Sequence, residues 1–194
     1  GKHIICERIL VDDASSKLYS IIKVLSEEGK KDLDNLTIAG FDYPKPVDLV
    51  KQLVESATDR DGDLVMDFFA GSGTTGQAVM DLNALDDGSR RYILVQLPQP
   101  TNRVEFKTIA DLTKERLRRA AKKVQAENPL FHGDLGFRVF KLDSSNIKAW
   151  DPNREVTNEN LLSETEHLVE GRTDEDVLYE LLLKLGLDLT VPIE

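Results

Sequence analysis

Apolar side chains recur three or four residues apart in several segments of the chain, and this spacing predicts helices. Asp13–Glu28 has such a face, and Gly29 after it predicts the end of the helix. Val47–Ala57 has the same spacing and follows Pro46, a residue suited to a first helical turn. Comparable patterns predict helices at 77–82, at 104–125 and at 173–185, where Gly186 ends the last one, and a helical patch at 161–168.

Short apolar segments between these helices predict strands. Two of them, 64–69 and 92–97, are nearly continuous apolar runs, while 136–142 alternates between apolar and polar positions. A short strand, or an entry from a strand into a helix, is predicted at 2–11, and the polar segments 30–35 and 83–91 predict loops. Two apolar strands joined by a helix form a βαβ unit, whose strands pair in parallel by default. The sequence therefore predicts an α/β fold.

The segment 104–125 is the longest predicted helix and the most basic. The stretch from Arg103 to Lys123 carries eight Lys/Arg and three Asp/Glu. The spacing predicts a buried face made of Ile109, Leu112, Leu117, Ala120 and Val124. The basic side chains are interpreted as a solvated face, with DNA contact as the alternative.

The composition is that of an ordinary globular protein. The chain has 194 residues, of which 40% are hydrophobic and 31% are charged, enough for one domain with a small appended module. It contains no apolar run of roughly 20 residues and no signal-peptide pattern at its start. Its single cysteine, Cys6, cannot form an internal disulfide, which favours a reducing, cytoplasmic location.

Negative charge is concentrated near the end of the sequence. The net charge is -10, and from Asp151 onward there are twelve acidic and three basic residues. Of the totals of 35 acidic and 25 basic residues, 23 and 22 remain before Asp151. We therefore predict a core at 1–150 and an acidic extension at 151–194. The extension is a poor candidate for phosphate contacts, whereas the core does not exclude nucleic acid.

The candidate chemistry centres on the segment Asp67-Phe-Phe-Ala-Gly-Ser-Gly-Thr-Thr-Gly76, between a predicted strand and a predicted helix. Open α/β folds build nucleotide sites from a strand, a glycine loop and a helix start. A triphosphate loop needs Lys and Ser/Thr after the last glycine, but Gln77 and Ala78 stand there. Triphosphate binding is therefore excluded.

Dinucleotides and S-adenosylmethionine (SAM) are the two other ligands that such a loop could hold. Gly71, Gly73 and Gly76 match the dinucleotide pattern Gly-x-Gly-x-x-Gly, but Gln96 stands where an acidic residue should bind the ribose. SAM has a cationic sulfonium and a cationic amino group, for which the carboxylate of Asp67 has a direct electrostatic use. Its methionine carboxylate can accept hydrogen bonds from backbone N–H groups.

Five stretches carry a resemblance to a known family. The glycine segment resembles the SAM loop of DNA amino-methyltransferases, commonly Asp-Pro-Phe-x-Gly-Ser-Gly-Thr, with Phe68 in place of the proline. Tyr43-Pro-Lys-Pro46 resembles the Lys-Pro element of the same enzymes. The segments 41–50, 92–98, 136–146 and 171–180 look like the C-terminal part of modification subunits of Type III restriction systems. These subunits are adenine-specific DNA methyltransferases, and the resemblance covers roughly 41–186.

The resemblance implies a partial Rossmann-like, SAM-dependent methyltransferase core: a parallel-rich sheet flanked by helices, followed by a helical acidic extension. It implies that Asp67 faces the amino group or sulfonium of SAM. Of Phe68 and Phe69, one is expected in the core and one beside the cofactor. The remaining expectations are close backbone approach at Gly71 and Gly73, carboxylate binding by Ser72 and Thr74, an opposite wall of Tyr43, Lys45 and Pro46, and ribose binding by Gln96.

The catalytic motif of this family, Asp-Pro-Pro-Tyr, does not occur in the sequence. The nearest string, Asn128-Pro-Leu-Phe131, lacks the second proline and is interpreted as a helix stop. No catalytic residue and no metal ligand is therefore assigned, and the chain is expected to be a C-terminal fragment that does not methylate DNA alone. The implied partners are double-stranded DNA through the full-length protein, a second modification subunit and a restriction subunit with helicase and nuclease activity. The alternatives are an NAD-binding module and a non-catalytic assembly module.

Overall fold

The computed structural model describes residues 21–39, 41–149 and 167–191, which fall into two compact units. The first unit ends at Gly136 and the second begins at Phe137. The elements of the first are α1 (Glu28–Asn35), α2 (Val47–Ala57), β1 (Leu64–Asp67), α3 (Thr74–Asp86), β2 (Arg91–Leu94) and α4 (Ile109–Glu127); the second contains α5 (Asp174–Lys184). The predicted α/β class is confirmed for the first unit. Among the described residues, no helix has the length and hydropathy that a membrane span requires.

The two strands pair in parallel, as the βαβ pattern predicts. Leu64 lies opposite Arg91 and Asp67 lies opposite Leu94. Both strands are shorter than predicted, because β1 ends at Asp67 and β2 at Leu94. Backbone contact continues beyond them: Val95 N–H donates to Asp67 O at 2.9 Å, and Ala70 N–H donates to Val95 O at 3.1 Å. The glycine loop is thus attached to the end of the second strand.

A small apolar core holds the helices against this sheet. Val54 of α2 packs with Val79 and Leu82 of α3, and Val65 of β1 and Tyr92 of β2 border the cluster. The bounds predicted for α2, Val47–Ala57, are confirmed. Burial of apolar surface is the main source of stability in such a cluster, at about 25 cal/mol per Å². The core therefore fixes the helix that follows the glycine loop.

Helix α3 is longer than predicted, and 83–86 is helical rather than loop. Its residue Asn83 is buried, and its side chain accepts from Arg90 N–H at 3.1 Å and donates to Arg90 O at 2.8 Å. Arg90 also forms an ion pair with Asp86 at 2.9 Å. Polar residues here close the connection between α3 and β2, which is why polarity alone predicted a loop too early.

Helix α4 begins at Ile109, five residues later than predicted, because Thr108 caps it. The Thr108 side chain accepts from Asp111 N–H, and the Asp111 side chain accepts from Thr108 N–H in return. Four of the five residues predicted to form its buried face are buried, namely Leu112, Leu117, Ala120 and Val124. The helix ends at Glu127, which confirms the predicted stop at Asn128–Phe131.

The prediction for the first helix is wrong in its described part. Residues 21–27 are not helical, whereas α1 (Glu28–Asn35) occupies the segment predicted to be a loop. Gly29 does not end a helix. It lies inside α1, where a Cβ would come within 2.0 Å of Pro44 O. This glycine is needed for close packing, which its sequence context does not reveal. The predicted strand at 2–11 and residues 13–20 of the predicted helix lie outside the described residues.

The second unit is built around α5. Thr173 caps this helix, which confirms its predicted start. The predicted strand at 136–142 is wrong: these residues form no ladder in the described part of the chain, where Phe140 instead packs edge-on against Tyr179 with ring centroids 4.9 Å apart. Alternation predicts a strand only where a neighbouring strand can accept its hydrogen bonds. The domain boundary at residue 150 stays a prediction, because 150–166 lie outside the described residues, as does most of the predicted patch at 161–168.

Candidate functional site

Asp67 ends β1 and shapes the loop that follows it. Its Oδ1 accepts from Phe69 N–H at 3.0 Å, and its Oδ2 accepts from Thr75 Oγ1 at 2.6 Å. The side chain thereby joins the end of the strand to the first turn of α3. Asp67 remains half-exposed, and each carboxylate oxygen has a further lone pair with which to accept from a ligand.

Two glycines of the loop adopt backbone conformations that other residues rarely adopt. Gly71 has φ of 53° and Gly73 has φ of 84°. Helix α4 lies directly behind them: Thr113 Oγ1 donates to Gly71 O at 2.6 Å, and a Cβ on Gly73 would lie 3.0 Å from Thr113 Cγ2. The loop is therefore held from behind by a helix that begins more than 30 residues later in the sequence.

A cavity of about 270 Å³ opens beside the loop. It is formed by the glycine loop on one side and by the segment before α2 on the other, and Thr74 Oγ1 connects the two by donating to Lys45 O at 3.2 Å. Seven of the predicted site residues line it: Tyr43, Lys45, Asp67, Phe69, Gly71, Ser72 and Thr74. The structure therefore brings together the two segments that sequence reasoning paired. Phe41, Asp42, Pro44, Val50, Ala70 and Thr75 complete the lining.

Four predicted site residues do not line this cavity: Phe68, Gly73, Gln96 and Pro46. Gly73 is buried at the start of α3, and Pro46 is buried at the start of α2. Gln96 accepts from Gly71 N–H at 2.7 Å through Oε1 and donates to Leu97 O at 3.1 Å through Nε2. Both polar ends of the Gln96 side chain thus bind protein backbone in this structure, and its role towards a ribose stays a prediction.

The aromatic residues of the site are exposed. Phe68 is 63% exposed and Phe69 is 86% exposed, so the expectation that one of them belongs to the core is wrong. Both follow the last residue of β1, where the chain turns away from the sheet. Tyr43, on the opposite wall, is 85% exposed and has φ of 60°. Exposed rings on both walls of one cavity form an apolar rim that a flat ligand can contact.

The hydroxyl groups of Ser72 and Thr74 have a partner that sequence reasoning missed. Arg116 of α4 is fully buried, and its Nη1 donates to Ser72 Oγ at 2.6 Å and to Thr74 Oγ1 at 2.8 Å. Its Nε donates to Gln77 Oε1 at 2.8 Å. The residue that occupies the place of a phosphate-binding lysine is thus bound to a cation from another helix.

Burial lowers the pKa of Arg116 to about 10, while the carboxylates of Asp32 and Asp81 oppose this shift. The guanidinium is therefore charged at neutral pH. Its position could have been found from the sequence, because Arg116 lies four residues after Leu112 and four before Ala120, on the predicted buried face. Treating every basic residue of α4 as solvated concealed it.

Comparisons with known proteins match the stretch of chain that contains this site. The DNA methylase family matches residues 12–97, which include both walls of the cavity. The Mod subunit of the Type III restriction-modification enzyme StyLTI from Salmonella typhimurium is 42% identical over 133 residues, covering 65% of this chain and 20% of the relative. The Mod subunit of the Type III enzyme EcoP15I from Escherichia coli is 38% identical over 145 residues, covering 70% of this chain and 21% of the relative.

A relative outside the Type III systems matches as well. The Type II methyltransferase M.KpnI from Klebsiella pneumoniae is 39% identical over 83 residues, covering 40% of this chain and 20% of the relative. The chain spans about one fifth of the length of these curated relatives. The comparisons favour the methyltransferase interpretation over the dinucleotide one, and they confirm the predicted resemblance to part of a Type III modification subunit.

Proposed function

Because the chain is similar to part of a Type III modification subunit, we propose that it holds the SAM-binding portion of a DNA adenine N6-methyltransferase of a restriction-modification system. One observation carries the proposal: the loop after β1 and the segment before α2 form a single cavity within the stretch that the DNA methylase family matches.

The chemistry of the cavity suits a ligand that carries both signs of charge. The half-exposed carboxylate of Asp67 offers lone pairs to a cationic amino or sulfonium group. The loop offers the hydroxyl of Ser72, which lines the same cavity. A cavity of about 270 Å³ lies near the lower end of small-molecule pockets, which begin at roughly 300 Å³. The donor set fits the methionine part of SAM.

When bound, SAM would supply the methyl group. The part of this chain would then be to hold and orient it. Asp67 would hold the cationic end, Ser72 the carboxylate end, and the exposed rings of Phe69 and Tyr43 would exclude water from the cavity rim. Gly71 would permit close approach of the ligand to the backbone, because a Cβ there would stand on the cavity side of the loop.

The similarity to Type III modification subunits also carries a proposal for the complete fold, the location and the partners of the protein. We extend the proposal to a Rossmann-like core, of which the β1–α3–β2 unit is one part, and to a cytoplasmic protein that acts on double-stranded DNA. A second modification subunit and a helicase-nuclease restriction subunit are the proposed protein partners, and the acidic segment 151–194 is the proposed assembly surface. Calorimetric titration of the chain with SAM, S-adenosylhomocysteine and NAD tests the proposed cofactor: heat with the first two and none with NAD supports it.

A further inference from the structure

Arg116 uses three of its five N–H donors on the glycine loop and the first turn of α3. Its acceptors, Ser72 Oγ, Thr74 Oγ1 and Gln77 Oε1, are all uncharged. Its Nη2 is buried and has no hydrogen-bond partner in the described part of the chain. A buried guanidinium whose contacts are neutral keeps its positive charge directly beneath the loop.

These contacts determine which way the two hydroxyl groups can donate. A hydroxyl has one proton, and an oxygen that accepts from a guanidinium must direct that proton elsewhere. Thr74 directs its proton to Lys45 O at 3.2 Å. Ser72 Oγ lies 3.4 Å from Thr74 Oγ1, a contact longer than an ordinary O–H···O bond of about 2.7 Å. The proton of Ser72 is therefore available to the cavity that this residue lines.

We propose that Arg116 is a positioning residue that makes Ser72 a hydrogen-bond donor towards the carboxylate of a bound amino acid group. This inference rests on the proposed function, because it assigns a role in holding the methionine end of SAM. Arg116 acts through Ser72 and through its charge; Asp67, at the start of the same loop, receives the cationic end. The loop thus separates a site for negative charge from a site for positive charge.

The test compares two ligands that differ by one group. S-adenosylhomocysteine has the carboxylate, whereas its decarboxylated analogue keeps the amino group and the thioether. Calorimetry is performed on the wild-type chain, Ser72→Ala, Arg116→Met, Arg116→Lys and the control Arg118→Met. Arg118 lies on the same helix, is half-exposed and forms an ion pair with Glu115 at 3.6 Å.

We expect Ser72→Ala and Arg116→Met to weaken the binding of S-adenosylhomocysteine by about tenfold or more. This is the effect of losing one hydrogen bond to a charged group. Binding of the decarboxylated analogue should change by less than about twofold by the same reasoning. Arg116→Lys should restore part of the loss, and Arg118→Met should bind as the wild type does. Circular dichroism establishes which variants fold, and if Arg116→Met does not fold, Ser72→Ala and Arg116→Lys decide.

An equal loss for both ligands would show a merely structural role and overturn the inference, as would unchanged binding of S-adenosylhomocysteine by Ser72→Ala. Both results leave the proposed function standing. A wild-type chain that binds neither ligand would instead overturn the proposed function, and the inference with it.

Discussion

Gln96 accepts a hydrogen bond from the backbone N–H of Gly71 across 2.7 Å, and so fastens the segment after β2 to the glycine loop. The sequence position of Gln96 predicted contact with a ribose. In the structure its side chain accepts from one of the loop's own N–H groups, and its role towards a ribose stays a prediction. An amide can do this without charge, whereas the acid usual in dinucleotide sites would bring a negative charge next to the loop.

Replacing Gln96 should therefore affect the loop before any ligand is added. We expect Gln96→Leu to lower the free energy of unfolding by about 1–3 kcal/mol, because Gly71 N–H loses its acceptor in a partly buried site. Gln96→Glu keeps an acceptor and should change the free energy of unfolding by less than half as much as Gln96→Leu does. Urea unfolding of the two variants measures the difference, and equal stability of Gln96→Leu and wild type would refute this role.

At Gly29, packing and helix propensity predict opposite effects of an alanine substitution on the stability of the chain. In an exposed helix interior, alanine is about 1 kcal/mol more favourable than glycine. At Gly29 a Cβ would lie 2.0 Å from Pro44 O, a backbone atom that can move only with the chain. We therefore expect Gly29→Ala to destabilise the chain by about 1–3 kcal/mol, the usual cost of overpacking.

The control for this variant is Gly171→Ala, at a glycine with no atom within 4 Å of its Cβ position and φ of 80°. Gly171→Ala introduces backbone strain without a packing clash, so it should lose less stability than Gly29→Ala. Thermal or urea unfolding gives both values. A Gly29→Ala chain more stable than wild type would mean that α1 does not pack against Pro44 in this way.

The lowered pKa of Glu180 predicts how the stability of the second unit depends on pH. The Lys184 ammonium at 2.6 Å, the Ser145 hydroxyl and the Asn146 N–H together lower the pKa of Glu180 to about 2. A carboxyl whose pKa is lower in the folded state contributes stability above its unfolded pKa and loses it as pH falls towards the folded pKa. We expect this contribution to be complete above about pH 4.5 and to disappear towards about pH 2.

Amide hydrogen exchange at Asn146 reports this contact, because its N–H donates to Glu180 Oε2 at 2.6 Å. Protection should fall over the same pH range, after correction for intrinsic exchange. In Glu180→Gln, which cannot titrate, protection should be lower at neutral pH and should not fall further with acid. Parallel pH profiles for the two proteins would contradict the assignment.

Methyl transfer is the reaction that we expect this chain not to perform alone. Its sequence contains no Asp-Pro-Pro-Tyr, the motif that binds and activates the target adenine in the family. Incubating the 194-residue chain with labelled SAM and double-stranded DNA should leave the DNA unlabelled, while a complete Type III modification subunit labels it in parallel. Labelled DNA from the 194-residue chain would disprove the expectation.

The sequence predicted those parts of the molecule that local pattern determines. The helix Val47–Ala57 was predicted because its apolar spacing and Pro46 agree with its place in the core. The α1 region was missed because the need for Gly29 arises from contact with Pro44, fifteen residues away. The strand at 136–142 failed because alternation does not indicate whether a partner strand is present.

The candidate site likewise has parts that local sequence predicts and a part that depends on a contact between distant residues. Its two walls could be found from motifs, since the residues that form each wall are neighbours in sequence. Arg116 reaches Ser72 from 44 positions along the chain, a distance over which no local pattern connects the two. Only its spacing within α4 marked it as buried, and that signal competed with the seven other basic residues between Arg103 and Lys123.

The central claim is that the loop at Asp67–Gly76 binds SAM, and one titration tests it most directly. S-adenosylhomocysteine is titrated into the wild-type chain, into Gly71→Asp and into Gly62→Asp. Gly71 and Gly62 both have positive φ, 53° and 78°, so the two variants share the backbone strain, but only Gly71 lines the cavity. We predict binding by wild type and Gly62→Asp, and none by Gly71→Asp, whose new carboxylate would repel that of the ligand. Unchanged binding by Gly71→Asp would contradict the claim.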